Sequence, residues 1–272
     1  MSDVTYRASH FRAVEIEHRY GARVHLLDNP VGLAWLAKLA SPECRQPELG
    51  RLVRRLYEHL AVVVLAAELP RERIDVASRM RTPTRPEAVY RGIAVDDSTQ
   101  VVTAAIARAG TVPSQIVYET LNELLEPSGI RQDHLFLSRV TDAEGRVTGT
   151  TWHDAKIGKE VAGRIVLFPD PMGATGGSMS LAMNHYRTKL DGEPGALIAM
   201  NLIVTPEYIA RVTQDHPHAK IYAFRLDRGL SPPDVLAGVP GTHWTRERGL
   251  NEHQYIVPGA GGLGELLNNA WV

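Results

Sequence analysis

The chain has 272 residues, a formal net charge of −1 at pH 7, and 44% hydrophobic residues. That length buries one generous core, or one core with an arm or insertion, and the near-neutral balance gives no global field for nucleic acid or an anionic membrane. The only cysteine, Cys44, excludes an internal disulfide and a thiolate zinc site. With no apolar h-region at the amino terminus and no run long enough to span a bilayer, the sequence predicts a soluble, cytoplasmic protein.

Residues 1–22 are polar and read as a lead-in to a single domain over 23–272. A short strand over 24–27 stops at the turn signal Asp28-Asn29-Pro30, and helices follow over 31–39 and 47–69. In the second helix Leu49, Leu52, Val53, Leu56, Leu60 and Val63 recur at spacings of three and four, with Arg51, Arg54, Arg55 and Glu58 on the solvated side. Pro83 and Pro86 mark a loop. Residues 101–107 form a buried strand ending in Arg108-Ala109-Gly110, with a helix over 112–125. Residues 134–139 and 147–152 read as a hairpin about the turn Asp142 to Gly145.

Ile165 to Phe168 is another buried strand, expected to end its sheet pairing at Pro169-Asp170-Pro171. After Ala174-Thr175-Gly176-Gly177-Ser178 a helix is predicted over 179–190, then a strand over 196–204, a helix over 206–213 and a strand over 219–226. This alternation predicts an α/β fold with a central, mostly parallel sheet flanked by helices, and ligands beyond the carboxyl ends of the strands, where Arg108 and Asp170 fall. Residues 229–245, rich in Pro and Gly, read as an insertion. Residues 255–265 are a loop carrying Gly259, Gly261, Gly262 and Gly264, whose bare peptide groups suit the recognition of a small flat edge.

The small residues between Asp170 and Ser178 let backbone N–H groups approach a phosphate, and the positive end of the following helix faces the same spot. The stretch is neither a Walker loop nor G-x-G-x-x-G. D-P-M-x-A-T-G-G-S resembles the phosphoribosyl-diphosphate loop of the uracil phosphoribosyltransferase family, in the type I phosphoribosyltransferase superfamily. Asn251-Glu252-His253-Gln254-Tyr255-Ile256-Val257-Pro258-Gly259-Ala260-Gly261 resembles the same family's uracil-binding segment, and Arg108-Ala109-Gly110 its L-R-A-G diphosphate loop.

The resemblance implies the type I phosphoribosyltransferase fold with a β-hairpin arm and a carboxyl-terminal base-binding hood. It implies transfer of a phosphoribosyl group from 5-phospho-α-D-ribose 1-diphosphate to uracil, giving UMP and diphosphate. Arg108, Arg139 and Lys156 would then hold the diphosphate with Ala109 and Gly110, and Mg²⁺ would be bound mainly through that diphosphate, with no metal ligands of the protein's own. Asp170 would serve the ribose and its cationic ring, with Pro171, Met172, Gly173, Ala174, Thr175, Gly176, Gly177 and Ser178 around the 5′-phosphate. Tyr255, Ile256, Gly261, Gly262 and Leu263 would read the base. Relatives are homodimers or homotetramers, and some respond to GTP. Three positions depart from the family pattern: Gly173 stands for a Leu, Gly262 for an Asp that touches the donor, and Leu263 for a smaller Ala, while Glu265 keeps a carboxylate. The alternatives are another base, or a non-catalytic protein that binds the donor or a nucleotide and regulates a partner.

Overall fold

The structure, a computed structural model, describes residue 6, residue 8, residues 10–141 and residues 147–270. For Arg139, Thr141, Val147 and Thr148 it describes the backbone alone. In chain order the first elements are β1 (Val24–Leu26), α1 (Pro30–Leu39), α2 (Glu48–Glu68), β2 (Arg71–Ala77), β3 (Val89–Val95), β4 (Val101–Ala107) and α3 (Thr111–Leu124). There follow β5 (Ile130–Thr141), β6 (Val147–Lys156), β7 (Ile165–Pro169), β8 (Met172–Gly173), α4 (Gly177–Thr188), β9 (Ala196–Val204), α5 (Pro206–Asp215), β10 (Lys220–Leu226), α6 (Pro233–Leu236) and α7 (Leu263–Asn268).

Strands β4, β7 and β9 are almost wholly apolar and buried along their length, as strands covered on both faces must be. They form the middle of an eight-stranded sheet in the order β1-β10-β9-β7-β4-β5-β6, with β8 added on β9. Every pair is parallel except β5 with β6. One apolar cluster packs α1, α2 and α3 against one face, and a second packs α4 and α5 against the other. The predicted stripe of α2 is the buried side of that helix except at Val63, which is only partly buried; Tyr57 and Val64 join it, and the arginines of the helix are exposed.

Three details differ from the sequence reading. β2 and β3 pair antiparallel into a separate two-stranded hairpin where only a loop was expected. Prolines 169 and 171 do not end the pairing: Asp170 N–H donates to Met200 O at 3.1 Å, and Met172–Gly173 pairs with β9 again. A proline loses its donor but keeps its carbonyl, and Pro171 O accepts from the amides of Leu202 and Ile203. The carboxyl-terminal loop is shorter than expected, because α7 begins at Leu263. The turn predicted at Asp142 to Gly145 lies outside the described residues.

The lead-in and the Pro- and Gly-rich segment hold each other. Arg19 N–H donates to Pro240 O at 2.8 Å, and the Tyr20 ring meets Trp244 edge-on at 4.9 Å. The buried Tyr20 hydroxyl bonds Glu247, whose carboxylate also pairs with Arg228 at 3.0 Å.

Candidate active site

β4 and β7 are neighbours in the sheet, so the loops at their carboxyl ends open side by side. Asp170, half-buried, stands at the end of β7. The chain turns back through β8, and at Gly176 adopts φ of +78°, a left-handed cap from which α4 starts at Gly177. Gly176 brings no side chain to the cap, and the first turn of a helix lacks intrahelical acceptors for its N–H groups, so these amides face the loop. Thr175 Oγ1 lies 3.4 Å from Gly177 N.

A cavity of about 650 Å³ joins this loop to the carboxyl-terminal segment. Of the residues singled out in the sequence, it is lined by Arg108, Ala109, Asp170, Met172, Ala174, Ser178, Tyr255, Ile256, Gly261, Gly262 and Leu263. Thr175 and Gly177 line an adjoining hollow of about 660 Å³, and Gln254 borders both. Pro171, Gly173 and Gly176 are buried behind the loop. Gly110 is buried too: a Cβ there would meet the carbonyls of Ile106 and Pro169 at 2.9 Å, so this glycine lets the two loops pack together.

Arg108 is already engaged. Its guanidinium donates to Glu265 Oε1 at 3.2 Å and to Ala270 O at 2.8 Å, tying the β4–α3 loop to α7. On the other side, Leu137 and Ser138 of β5 line the main cavity, and Gly149 and Thr150 of β6 line the adjoining one. Thr150 Oγ1 comes within 3.1 Å of where a Cβ on Gly177 would stand. The Arg139 side chain is outside the described residues; its backbone pairs with Thr150 at this end of the hairpin. Lys156 is not brought to either cavity. β6 runs back antiparallel, so Lys156 lies opposite His134, which is level with Ala105 and short of the strand end at Ala107.

The carboxyl-terminal loop is shaped by hydrogen bonds that the sequence reading did not find. Asn251 Oδ1 accepts from His253 N at 3.0 Å and Tyr255 N at 2.9 Å, an Asx turn that leaves Tyr255 exposed and Ile256 buried. Glu207, at the start of α5, accepts from Gly249 N at 3.0 and 3.1 Å. The Gly259 peptide is clamped on both sides, with N–H to Asp227 Oδ2 at 2.8 Å and C=O from Arg225 at 2.9 Å. Arg225 and Asp227 are themselves joined by two bonds of 2.7 and 2.8 Å, with the Asp227 side chain only 2% exposed. Gly259 has φ of +67°, and a Cβ there would overlap the Ile256 carbonyl. A bidentate Arg-x-Asp at the end of the last long strand is the signal in the sequence that could have marked this anchor.

Two of the departures noted above find physical partners. The ring of Tyr208 lies flat over Gly173, 3.0 Å from where a Cβ would be, and fills the space a larger side chain would need. The Glu265 carboxylate reaches back over Gly262 and occupies the space beside its Cα. Leu263 is almost wholly buried in the cavity wall. Burial, and after it the charge of Asp170, hold the hydroxyls of Tyr57 and Tyr208 well above their ordinary pKa.

A family model described as uracil phosphoribosyltransferase matches residues 26–242. The match ends before the carboxyl-terminal loop. The uracil phosphoribosyltransferase of Thermus thermophilus is 28% identical over 245 residues, covering 90% of this chain and 98% of that relative. That of Caldanaerobacter subterraneus subsp. tengcongensis is 37% identical over 112 residues, 41% of this chain and 42% of that relative. Among solved structures, the AQ2163 protein from Aquifex aeolicus superposes with a TM-score of 0.68 at 19% identity, covering 92% of this chain and 99% of that one, which shows a shared fold. Among the described residues no helix is long and apolar enough to cross a membrane.

Proposed function

The chain belongs to the uracil phosphoribosyltransferase family, and on that premise we propose that it transfers the phosphoribosyl group of 5-phospho-α-D-ribose 1-diphosphate to uracil, giving UMP and diphosphate. The observation that carries this reading is the shared cavity: a loop fit to grip a sugar phosphate and a loop of bare peptide groups face one space of about 650 Å³.

Displacement at C1 of the donor builds positive charge on the ribose ring and negative charge on the leaving diphosphate. The protein then contributes position and electrostatics rather than a nucleophile. Asp170 accepts from the ribose hydroxyls and steadies the ring. The amides at the start of α4, with the hydroxyls of Thr175 and Ser178, hold the 5′-phosphate. Arg108 turns from Glu265 to the diphosphate, to which its planar fork is well suited. Uracil, with two carbonyl acceptors and an N–H donor on one edge, meets the peptide groups of Ile256 and Gly261 to Leu263. The donor set fits Mg²⁺ arriving on the diphosphate, because Asp170 brings a hard carboxylate to the cavity while Glu265 is held by Arg108. When bound there, the ion would neutralise charge on the leaving group.

The test is release of diphosphate from the donor with Mg²⁺ and a panel of bases. Release with uracil supports the reading. Release with another base alone keeps the chemistry and moves the acceptor, and donor binding without release makes the chain a regulatory binder. Asp170→Asn is expected to lower kcat by about 2–4 kcal/mol of transition-state stabilisation; an unchanged kcat removes Asp170 from the reaction.

A further inference from the structure

Behind the donor loop, β9 and the first turn of α5 supply a brace whose side chains line neither cavity. Asn201, fully buried, donates from Nδ2 to the Asp170 carbonyl at 2.6 Å. Thr205 N–H donates to Gly173 O at 3.0 Å, and its hydroxyl donates to Ala174 O at 2.6 Å. The same hydroxyl accepts from Tyr208 N–H at 3.0 Å and so caps α5, which sets the Tyr208 ring across Gly173. Asp170, Gly173 and Ala174 are thus all held from one stretch of eight residues, 201–208.

Two polar atoms in this brace are incompletely satisfied by the fold. The Tyr208 hydroxyl and Asn201 Oδ1 are buried and make no hydrogen bond of full geometry among the described residues, although the Asn201 side chain lies against the Tyr208 hydroxyl. A buried donor or acceptor without a partner is destabilising, and an apolar side chain of similar shape would avoid it. Phe at 208 would cover Gly173 equally well, so packing does not account for the hydroxyl. Burial and the Asp170 charge keep that hydroxyl protonated, and it therefore stays a donor on the Asp170 side of the loop.

Resting on the reaction proposed above, we infer that Asn201 and Tyr208 are positioning residues for phosphoribosyl transfer, which fix the Asp170 turn at the height where its carboxylate meets the ribose ring. Neither touches substrate. They act through the backbone and surroundings of Asp170.

The experiment uses the full chain with Asn201→Leu and, separately, Tyr208→Phe, which removes a single oxygen. Melting temperature, donor affinity by calorimetry and kcat for diphosphate release are measured for each against the wild type. The expected result is a donor Kd within about threefold of wild type and a kcat lowered on the order of tenfold in Asn201→Leu and several-fold in Tyr208→Phe. In Tyr208→Phe the melting temperature is unchanged or raised, since a poorly satisfied buried hydroxyl has gone. Wild-type kcat in Tyr208→Phe, or losses of kcat only in step with losses of melting temperature and donor affinity, overturns the inference. A wild type that releases no diphosphate with any base sinks the reaction and the inference together; an active wild type beside fully active variants sinks the inference alone.

Discussion

The two loops that meet across the cavity are held in opposite ways. The donor loop lies in the middle of the sheet, between β7 and α4. Its carbonyls and amides are taken up by β9 and α5, and helices cover both faces around it. The carboxyl-terminal loop hangs from the end of β10, one strand from the sheet edge, by the Arg225–Asp227 clamp on Gly259 and by Glu207 on Gly249. Tyr255 and Gly261 in that loop are exposed. On the proposed function, a phosphate grip set in the core has its geometry fixed by many contacts. A base reader hung from a few polar anchors can change its residues, and its acceptor, without disturbing the sheet. The departures obey this division: Gly173 comes with a ring packed on it, whereas Gly262 comes only with a longer carboxylate laid over it.

The contrast breaks most severely at the anchor of the outer loop. Asp227→Ala removes a buried carboxylate, leaves Arg225 without its partner and frees the Gly259 peptide. A loss on the order of 3–5 kcal/mol is expected from breaking such a pair. Denaturant melts measure it, and the KM for the base should rise more than that for the donor. Next in size is the donor loop itself. Gly173→Leu drives a side chain into the Tyr208 ring and is expected to cost about 1–3 kcal/mol as an overpacked core site. In a Tyr208→Ala background the cost of Gly173→Leu should shrink, as a double-mutant cycle measures, and additive losses would show that the ring and the glycine do not share one space. Smallest is Glu265→Gln. The Arg108–Glu265 pair is about one-third exposed on both sides, so its loss should change stability by less than about 1 kcal/mol. The sharper readout is donor affinity, which should rise as Arg108 no longer divides its donors between Glu265 and diphosphate.

What could be read from the sequence was what periodicity and local chemistry encode. The stripe of α2 shows at spacings of three and four, the buried strands as apolar runs, and the donor loop as small residues between strand and helix. The β2–β3 hairpin was invisible because β2 reads Arg-Glu-Arg-Ile-Asp-Val-Ala and is exposed at six of its seven residues, so backbone pairing forms it without an apolar alternation to announce it. Lys156 lies away from both cavities because β6 returns antiparallel, which nearness in sequence to the cavity-lining end of the hairpin does not reveal. The partners of Gly173 and Gly259, Tyr208 and Asp227, lie more than thirty residues away in the chain, and only the fold brings them together. Glycine content hid the start of α7, since Gly262 and Gly264 flank a turn that packing against the β4–α3 loop makes helical.

The central claim is that one cavity takes the sugar phosphate from one loop and the base from the other. A crystal structure with uracil and an unreactive donor analogue bound tests it directly. The expected result places the 5′-phosphate against the amides of residues 175–178 and the uracil edge against the peptide groups of Ile256 and Gly261 to Leu263, with Asp170 between them. Uracil bound away from that loop, or a phosphate seated anywhere but at the start of α4, would contradict it.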